Sequence, residues 1–213
     1  MEIIKTSPVY KDYIWGGTKL KSLWNKNSDK DIIAESWELS LHKDGVCKAD
    51  GGIYGGRFLD RIITPQMIGE NNTLSRFPVL IKLIDARQNL SVQVHPCDAY
   101  ALKNENDYGK TEMWYIADAE EGGGIYLGFK ENITRQIFID ALNNNTVEKL
   151  LNFIPVKKGD SFLIEAGQIH AICKGVTICE IQQNSNVTYR VYDYNRTDAN
   201  GNKRELHTQK ALD

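Results

Sequence analysis

The chain has 213 residues, 41% of them hydrophobic, enough to bury a sizeable core without disulfide or metal staples. Its 26 basic and 28 acidic side chains are intermixed and leave a formal charge of −2. That balance excludes the concentrated basic footprint of a nucleic-acid or anionic-membrane binder and points to a small-molecule partner. Cys47, Cys97, Cys173 and Cys179 lie far apart with no Cys-x-x-Cys pair and read as buried small hydrophobes. With no leader peptide and apolar runs far shorter than the roughly 20 residues that span a bilayer, a soluble, reduced, cytoplasmic protein is expected. Its oligomeric state is not legible in the sequence.

Along the chain, residues 18–24 show helical periodicity, 36–41 read as a strand, and 57–63 again read as helix. Strands follow at 78–85 and 90–94, a helix at 97–103, and strands at 113–117 and 124–129, all rich in β-branched and aromatic residues between glycine and asparagine breaks. The stretch 134–152 predicts one or two helices, within an insertion spanning about 131–152. Strands are then predicted at 161–164, 176–182 and 187–194, the last two forming a hairpin through the polar turn Gln183-Asn184-Ser185-Asn186. A final helix is expected from about Leu206, with no capping glycine or polar tail to close it. The pattern is mainly β, a sandwich or barrel in one domain with a few appended helices.

Three segments carry candidate ligands. In Ser91-Val92-Gln93-Val94-His95-Pro96, strand alternation sets Ser91, Gln93 and His95 on one face and Val92 and Val94 on the other. Lys110-Thr111-Glu112 pairs Lys110 with Glu112 on one face. In the segment from Gly159 to His170 a turn glycine opens a strand and Gly167 bends the chain so that His170 turns inward. Two imidazoles, a carboxylate and a carboxamide oxygen suit zinc or another borderline divalent ion, with positions open for water or substrate. His42 and His207 have no partner pattern and read as surface or structural residues.

The glycine-to-histidine segment resembles the second cupin motif through Gly159, Gly167 and His170. It departs at Glu165, where proline is usual, and at Lys174, where asparagine is usual. The first motif's His-x-His is replaced by Gln93-Val94-His95, and its glutamate comes late, at Glu112. Those departures resemble the type I phosphomannose isomerases, as do Tyr13-Ile14-Trp15-Gly16-Gly17, Glu35-Ser36-Trp37-Glu38, Lys82-Leu83-Ile84-Asp85-Ala86, Gly109 to Tyr115, Ala166 to Ala171 and Tyr189-Arg190-Val191-Tyr192-Asp193. The resemblance implies a cupin-type jelly-roll barrel. It also implies one Zn2+ per chain held by Gln93, His95, Glu112 and His170, an active-site arginine at Arg190, and interconversion of mannose 6-phosphate and fructose 6-phosphate through an enediol. It further implies a small β domain beyond the last helix, which this sequence lacks, so that apolar side chains near the chain end are expected to be exposed.

Aldose–ketose isomerisation moves a proton between C1 and C2 and must stabilise an enediol oxyanion. Arg190, always protonated, suits a clamp for negative charge or phosphate, on a face shared with Tyr192. Glu180, among apolar strand residues, is a candidate acid/base. Lys110 and Ser91 share faces with presumed ligands and are candidates for the phosphate or sugar hydroxyls; Lys82 is a weaker one, since it could snorkel to the surface. Trp15 reads as a packing residue. Two other readings stay open: a non-haem iron oxygenase, because two histidines and a carboxylate also form a facial triad, and a metal-dependent sugar-binding module without turnover.

Overall fold

The computed structural model describes residues 3–69, 71, 74, 76–198 and 200–213. Its strands are β1 (Thr6–Ser7), β2 (Val9–Lys11), β3 (Glu35–Leu39), β4 (Lys48–Ala49), β5 (Val79–Ala86), β6 (Val92–Val94), β7 (Glu112–Ala119), β8 (Gly124–Phe129), β9 (Leu151–Pro155), β10 (Ser161–Ile164), β11 (His170–Ile172), β12 (Val176–Gln183) and β13 (Tyr189–Tyr192). The helices are short: α1 (Lys19–Ser22), α2 (Pro65–Ile68), α3 (Asp98–Asn104), α4 (Arg135–Asn143) and α5 (Thr208–Leu212). None is long and apolar enough to cross a membrane.

A six-stranded sheet in the order β10-β7-β12-β5-β3-β2 faces a five-stranded sheet in the order β13-β6-β11-β8-β9, and every pairing is antiparallel. This is a jelly-roll barrel of the cupin type. One apolar cluster fills the space between the sheets, with Ile84, Trp114, Ile116 and Ile178 from the first and Ile125 and Ile172 from the second. A second lies outside the five-stranded sheet, where Val92, Ala171 and Val191 pack against Phe138 of α4. Helix α4 starts because the Thr134 hydroxyl accepts from the Ile137 N–H, and it buries Phe138 and Ala141, three residues apart, on that cluster.

Because side chains alternate, each short strand divides its residues between these two clusters. On β11, Ala171 points outward while His170 and Ile172 point inward. The barrel interior is graded along the strands. Register pairs Ala86 with Val176, Ile84 with Ile178 and Lys82 with Glu180, so the apolar filling gives way at one end to buried charge. Gly159 and Gly167 sit at φ +98° and +87°, the left-handed region that glycine adopts without strain. They bend the chain into β10 and then into β11.

Four features differ from the sequence expectation. Strands β12 and β13 do not form a hairpin: β12 has β5 on one edge and β7 on the other, so both edges are taken and β13 joins β6 in the opposite sheet. Residues 184–188 become a strap between sheets, held where Asn184 N donates to Pro78 O and Ser185 Oγ donates to Tyr108 O. The stretch 134–152 holds one helix; Val147–Lys149 is a single 3-10 turn, and Leu151 and Asn152 already belong to β9, drawn extended by pairing with β8. Residues 57–63 shrink to a 3-10 turn, Leu59–Arg61, that buries Leu59 beside Cys47 and Ile62. Cys97 is exposed rather than buried. The last helix forms at Thr208–Leu212, with Ala211 and Leu212 packed against the outer cluster while Leu206 is 48% exposed.

Gly109 closes the turn from α3 into β7. Its N–H donates to Asp98 Oδ1, the next N–H, of Lys110, donates to Pro96 O, and a Cβ at Gly109 would lie 2.5 Å from the Asp98 nitrogen and the Cys97 carbonyl carbon. These obstacles are backbone atoms that cannot rotate away. Gly109→Ala is therefore expected to cost about 1–3 kcal/mol, read as a lowered urea midpoint; an unchanged midpoint would show that the turn yields freely.

Candidate metal centre

At the polar end of the interior, His95, Glu112 and His170 bring one ligand atom each to within 4.8 Å of one another, all three residues buried. Glu112 comes from β7 and His170 from β11, while His95 directly follows β6. His95 Nδ1 lies 3.0 Å from Val187 O, and His170 Nδ1 lies 2.8 Å from Gln168 O. Carbonyls only accept, so both rings carry their proton on Nδ1 and turn a bare Nε2 lone pair toward the carboxylate. His95 Nε2 is 3.2 Å from Glu112 Oε1, and His170 Nε2 is 3.9 Å from Glu112 Oε2.

Such an arrangement sets acceptors against acceptors, which is unfavourable unless a cation lies among them. Lys110 Nζ partly answers, 2.9 Å from Glu112 Oε1 and 3.3 Å from His95 Nε2. Glu112 Oε1 is nevertheless buried with no hydrogen bond of proper geometry among the described residues. Burial pushes Glu112 up, yet the Lys110 ammonium outweighs it and holds the carboxyl well below its usual range. Burial and then the Lys110 charge push His95 down to about 3, and burial also lowers His170. Neutral imidazoles and an ionised carboxylate are the protonation states that ligate a divalent ion. Gln93, opposite His170 in register, places its side-chain amide 3.4 Å from His170 Nε2. Amide oxygen and nitrogen exchange places by a simple flip, so this donor set fits a borderline divalent ion. No disulfide or cysteine ligand competes, as the four cysteines are free and outside the cluster.

Beside the cluster opens a polar cavity of about 230 Å³, smaller than the clefts of several hundred Å³ that hold drug-sized ligands. Ser91, Gln93, Lys110, Lys82, Glu180 and Arg190 all line it. Lys82 does not snorkel: it is buried, 3.1 Å from Glu180 Oε1 and 3.7 Å from Glu35 Oε2, over the Trp37 ring. The Trp114 indole N–H is shared between Glu112 Oε2 and Glu180 Oε2, 3.0 Å from each. Burial and then the Glu112 charge push the Glu180 carboxyl up.

Arg190 faces the cavity, but Tyr192 does not share its face. A bulge in β13 sets Arg190 opposite Gln93 and Tyr192 opposite Val92, so Tyr192 packs on the outer cluster. Trp15 belongs to the core cluster and also edges the cavity. His42 is buried against Asp107 and His207 touches the Arg190 backbone, both structural. Sequence reasoning passed over Glu35, Asn186 and Arg204 as cavity residues. Glu35 was within reach, because parity with Trp37 on β3 sets it beside Lys82 on β5. Arg204 lies in a loop without a periodic signal.

A jelly-roll barrel that gathers two histidines and a carboxylate on its inner wall, beside a charged cavity, defines a cupin with a candidate metal centre. Residues 3–124 match the family described as phosphomannose isomerase type I, catalytic domain. The chain belongs to that family. It is 41% identical over 209 residues to a probable mannose-6-phosphate isomerase, GmuF, of Bacillus subtilis (strain 168), covering 97% of this chain and 66% of the relative. Identity to the mannose-6-phosphate isomerase of Streptococcus mutans is also 41%, covering 94% of this chain and 63% of the relative. The crystal structure of the mannose 6-phosphate isomerase from Bacillus subtilis superposes with a TM-score of 0.89 at 39% identity, over 98% of this chain and 67% of that one. The chain thus spans just under two thirds of the length of the curated relatives named here.

The buried imidazoles set a pH dependence for the metal-free protein. Their folded proton affinity lies below the ordinary 6.5, so the unfolded chain binds the extra protons first and stability falls as pH drops from about 6.5 toward 3. The melting temperature of chelator-treated protein is expected to decline already between about pH 6.5 and 5, above the range where carboxylates titrate. A flat profile there would contradict two buried neutral histidines.

Proposed function

We propose that the chain is a zinc-dependent aldose–ketose isomerase that interconverts mannose 6-phosphate and fructose 6-phosphate by proton transfer between C1 and C2 through an enediol. The observation that carries this reading is a cavity that brings the Arg190 guanidinium and the Glu180 carboxyl, of raised proton affinity, together beside the His95–Glu112–His170 cluster, to which its lining residues Gln93 and Lys110 connect. His95, His170, Glu112 and Gln93 would hold the ion, with Gln93 the weakest ligand because a neutral carboxamide donates less charge. When bound, zinc offers Lewis-acid stabilisation of a sugar oxyanion and an ordered water.

The remaining work falls to the protein's side chains. Glu180 carries the proton at Oε1, since Oε2 is engaged by the Trp114 indole while Oε1 faces only the Lys82 ammonium. An acid/base must exchange its proton readily near neutrality, and burial beside Glu112 moves this carboxyl in that direction. Lys110 is buried against Glu112 and His95, where it orients the carboxylate and can donate to a sugar oxygen. Ser91 and Lys82 offer donors to hydroxyls along the cavity wall. Arg190 presents fixed, planar donors to negative charge that a lysine cannot reproduce. The membership in a family whose named relatives are mannose-6-phosphate isomerases supports the choice of substrate.

A coupled assay that follows fructose 6-phosphate formation from mannose 6-phosphate tests the activity of this chain directly; absence of turnover in zinc-loaded, folded protein would sink it. Elemental analysis tests the ligand set. His95→Ala and His170→Ala are expected to lose the ion, whereas Gln93→Ala should lower affinity more mildly; unchanged metal content in His170→Ala would remove that residue from the set. Arg190→Lys is expected to lower kcat/KM by about tenfold to a hundredfold with metal content unchanged. An Arg190→Ala protein that kept its kinetics and lost only thermal stability would identify a structural ion pair instead.

A further inference from the structure

The geometry points to Arg204 as a second anion-gripping residue of the cavity, held in place by Asp193 and acting with Arg190 on the phosphate end of the substrate. The charge balance of the cavity is uneven. At the metal end each cation has a carboxylate, Lys110 facing Glu112 and Lys82 facing Glu180 and Glu35. At the other end Arg190 and Arg204 line the wall, and the buried Asp193 pairs with Arg204 and with Arg196, which is not part of the lining. The nearby Glu205 side chain is 82% exposed and leans toward His207, and the Arg190 Nη1 meets only the Glu205 backbone carbonyl, at 2.9 Å. Arg190 thus faces the cavity without a carboxylate partner of its own among the described residues, a local excess of positive charge that suits an anion.

Asp193 fixes the orientation of Arg204. Arg204 Nε donates to Asp193 Oδ2 at 2.7 Å and Nη2 to Oδ1 at 2.5 Å, a fork-to-fork pair that immobilises the guanidinium plane. Its Nη1 has no hydrogen-bond partner among the described residues, and the side chain lines the cavity together with Arg190. Arg196 Nη2 also donates to Asp193 Oδ1, and Arg196 is itself tied to Asn89 O. Burial would push the Asp193 carboxyl up, but the two guanidiniums outweigh it and hold it ionised below its usual range. Arg190 is strained in the same way: its Nε is buried without a hydrogen-bond partner among the described residues, and burial, then the Arg204 charge, lower its hold on its proton. Two guanidiniums that repel each other across a cavity wall and keep unsatisfied N–H groups are stabilised together by an anion between them. The separation of charge along the cavity then orients a sugar phosphate, with its phosphate at the arginines and its carbonyl end toward His95, Glu112 and His170.

The choice of a sugar phosphate rests on the isomerase reading, but the anion site can be tested without turnover. Calorimetric titration of the full chain with inorganic phosphate should show binding that Arg204→Gln weakens about tenfold or more. Asp193→Asn should weaken it comparably, because the guanidinium is released, and the double variant should be no weaker than the poorer single one. Arg204→Lys should not restore affinity, since an ammonium cannot grip Asp193 with two nitrogens and still present a third. In the coupled assay the same variants should raise KM for mannose 6-phosphate more than they lower kcat. Melting curves run alongside identify any variant that fails to fold, in which case Arg204→Lys carries the comparison. If the chain binds phosphate through Arg204 but isomerises nothing, the isomerase reading fails and this one stands. If phosphate does not bind the wild-type chain, or if phosphate affinity and KM are unchanged in the Arg204 variants, the anion site is refuted.

Discussion

The carboxylate of Glu112, buried at 1% exposure, is the constraint around which the polar end of the barrel is arranged. An isolated charge in so dry a place would be prohibitively costly. It survives because the Lys110 ammonium, two residues earlier on the same face, lies against it, while two imidazoles from the facing sheet turn their lone pairs to the same point, a donor set completed by a cation. Satisfying one buried group in this way brings strands from both sheets into a fixed register. The second carboxylate follows from the first: Trp114 reaches both Glu112 and Glu180 with one indole N–H, and Lys82 stands where register pairs it with Glu180. The result is a network of alternating sign that an apolar core could not replace without losing its chemistry.

Much of this was legible in the sequence wherever period-two alternation holds. Ser91 and Gln93 line the cavity while Val92 packs in the outer cluster and Val94 borders the groove beside Phe138 and Val191, as alternation requires, and Glu112 and Lys110 share the interior. Alternation failed at Tyr192, because a bulge adds one residue to β13 and resets the parity beyond Arg190. It also gave no warning that β12 and β13 part company. A polar four-residue connection looks the same in a hairpin and in a strap, and only the saturation of both β12 edges decides between them. The second half of the 134–152 stretch was misread for a related reason. Its apolar spacing suits a helix locally, while pairing with β8 supplies a stronger, non-local partner for Leu151 to Pro155. Arg204 was invisible because a loop has no period to read, and its position depends on Asp193 eleven residues earlier.

The interior of the barrel changes from hydrocarbon to charge within two residues of a strand. The Ile84–Ile178 pair and the Lys82–Glu180 pair are successive inward-facing rungs of one ladder, with Leu83–Cys179 between them. Rigid packing below therefore holds the charged rung in place, and the cavity can be open to substrate on one side without loosening the groups that face it.

The strap at residues 184–188 links the mechanical closure of the barrel to the chemistry of one ring. Val187 O is the acceptor that keeps the His95 proton on Nδ1, while Asn186 and Thr188 on either side form part of the cavity wall. When the two sheets separate at this corner, the acceptor leaves and the imidazole is free to exchange tautomers. The nitrogen resonances of His95 therefore report whether the barrel is closed at this corner.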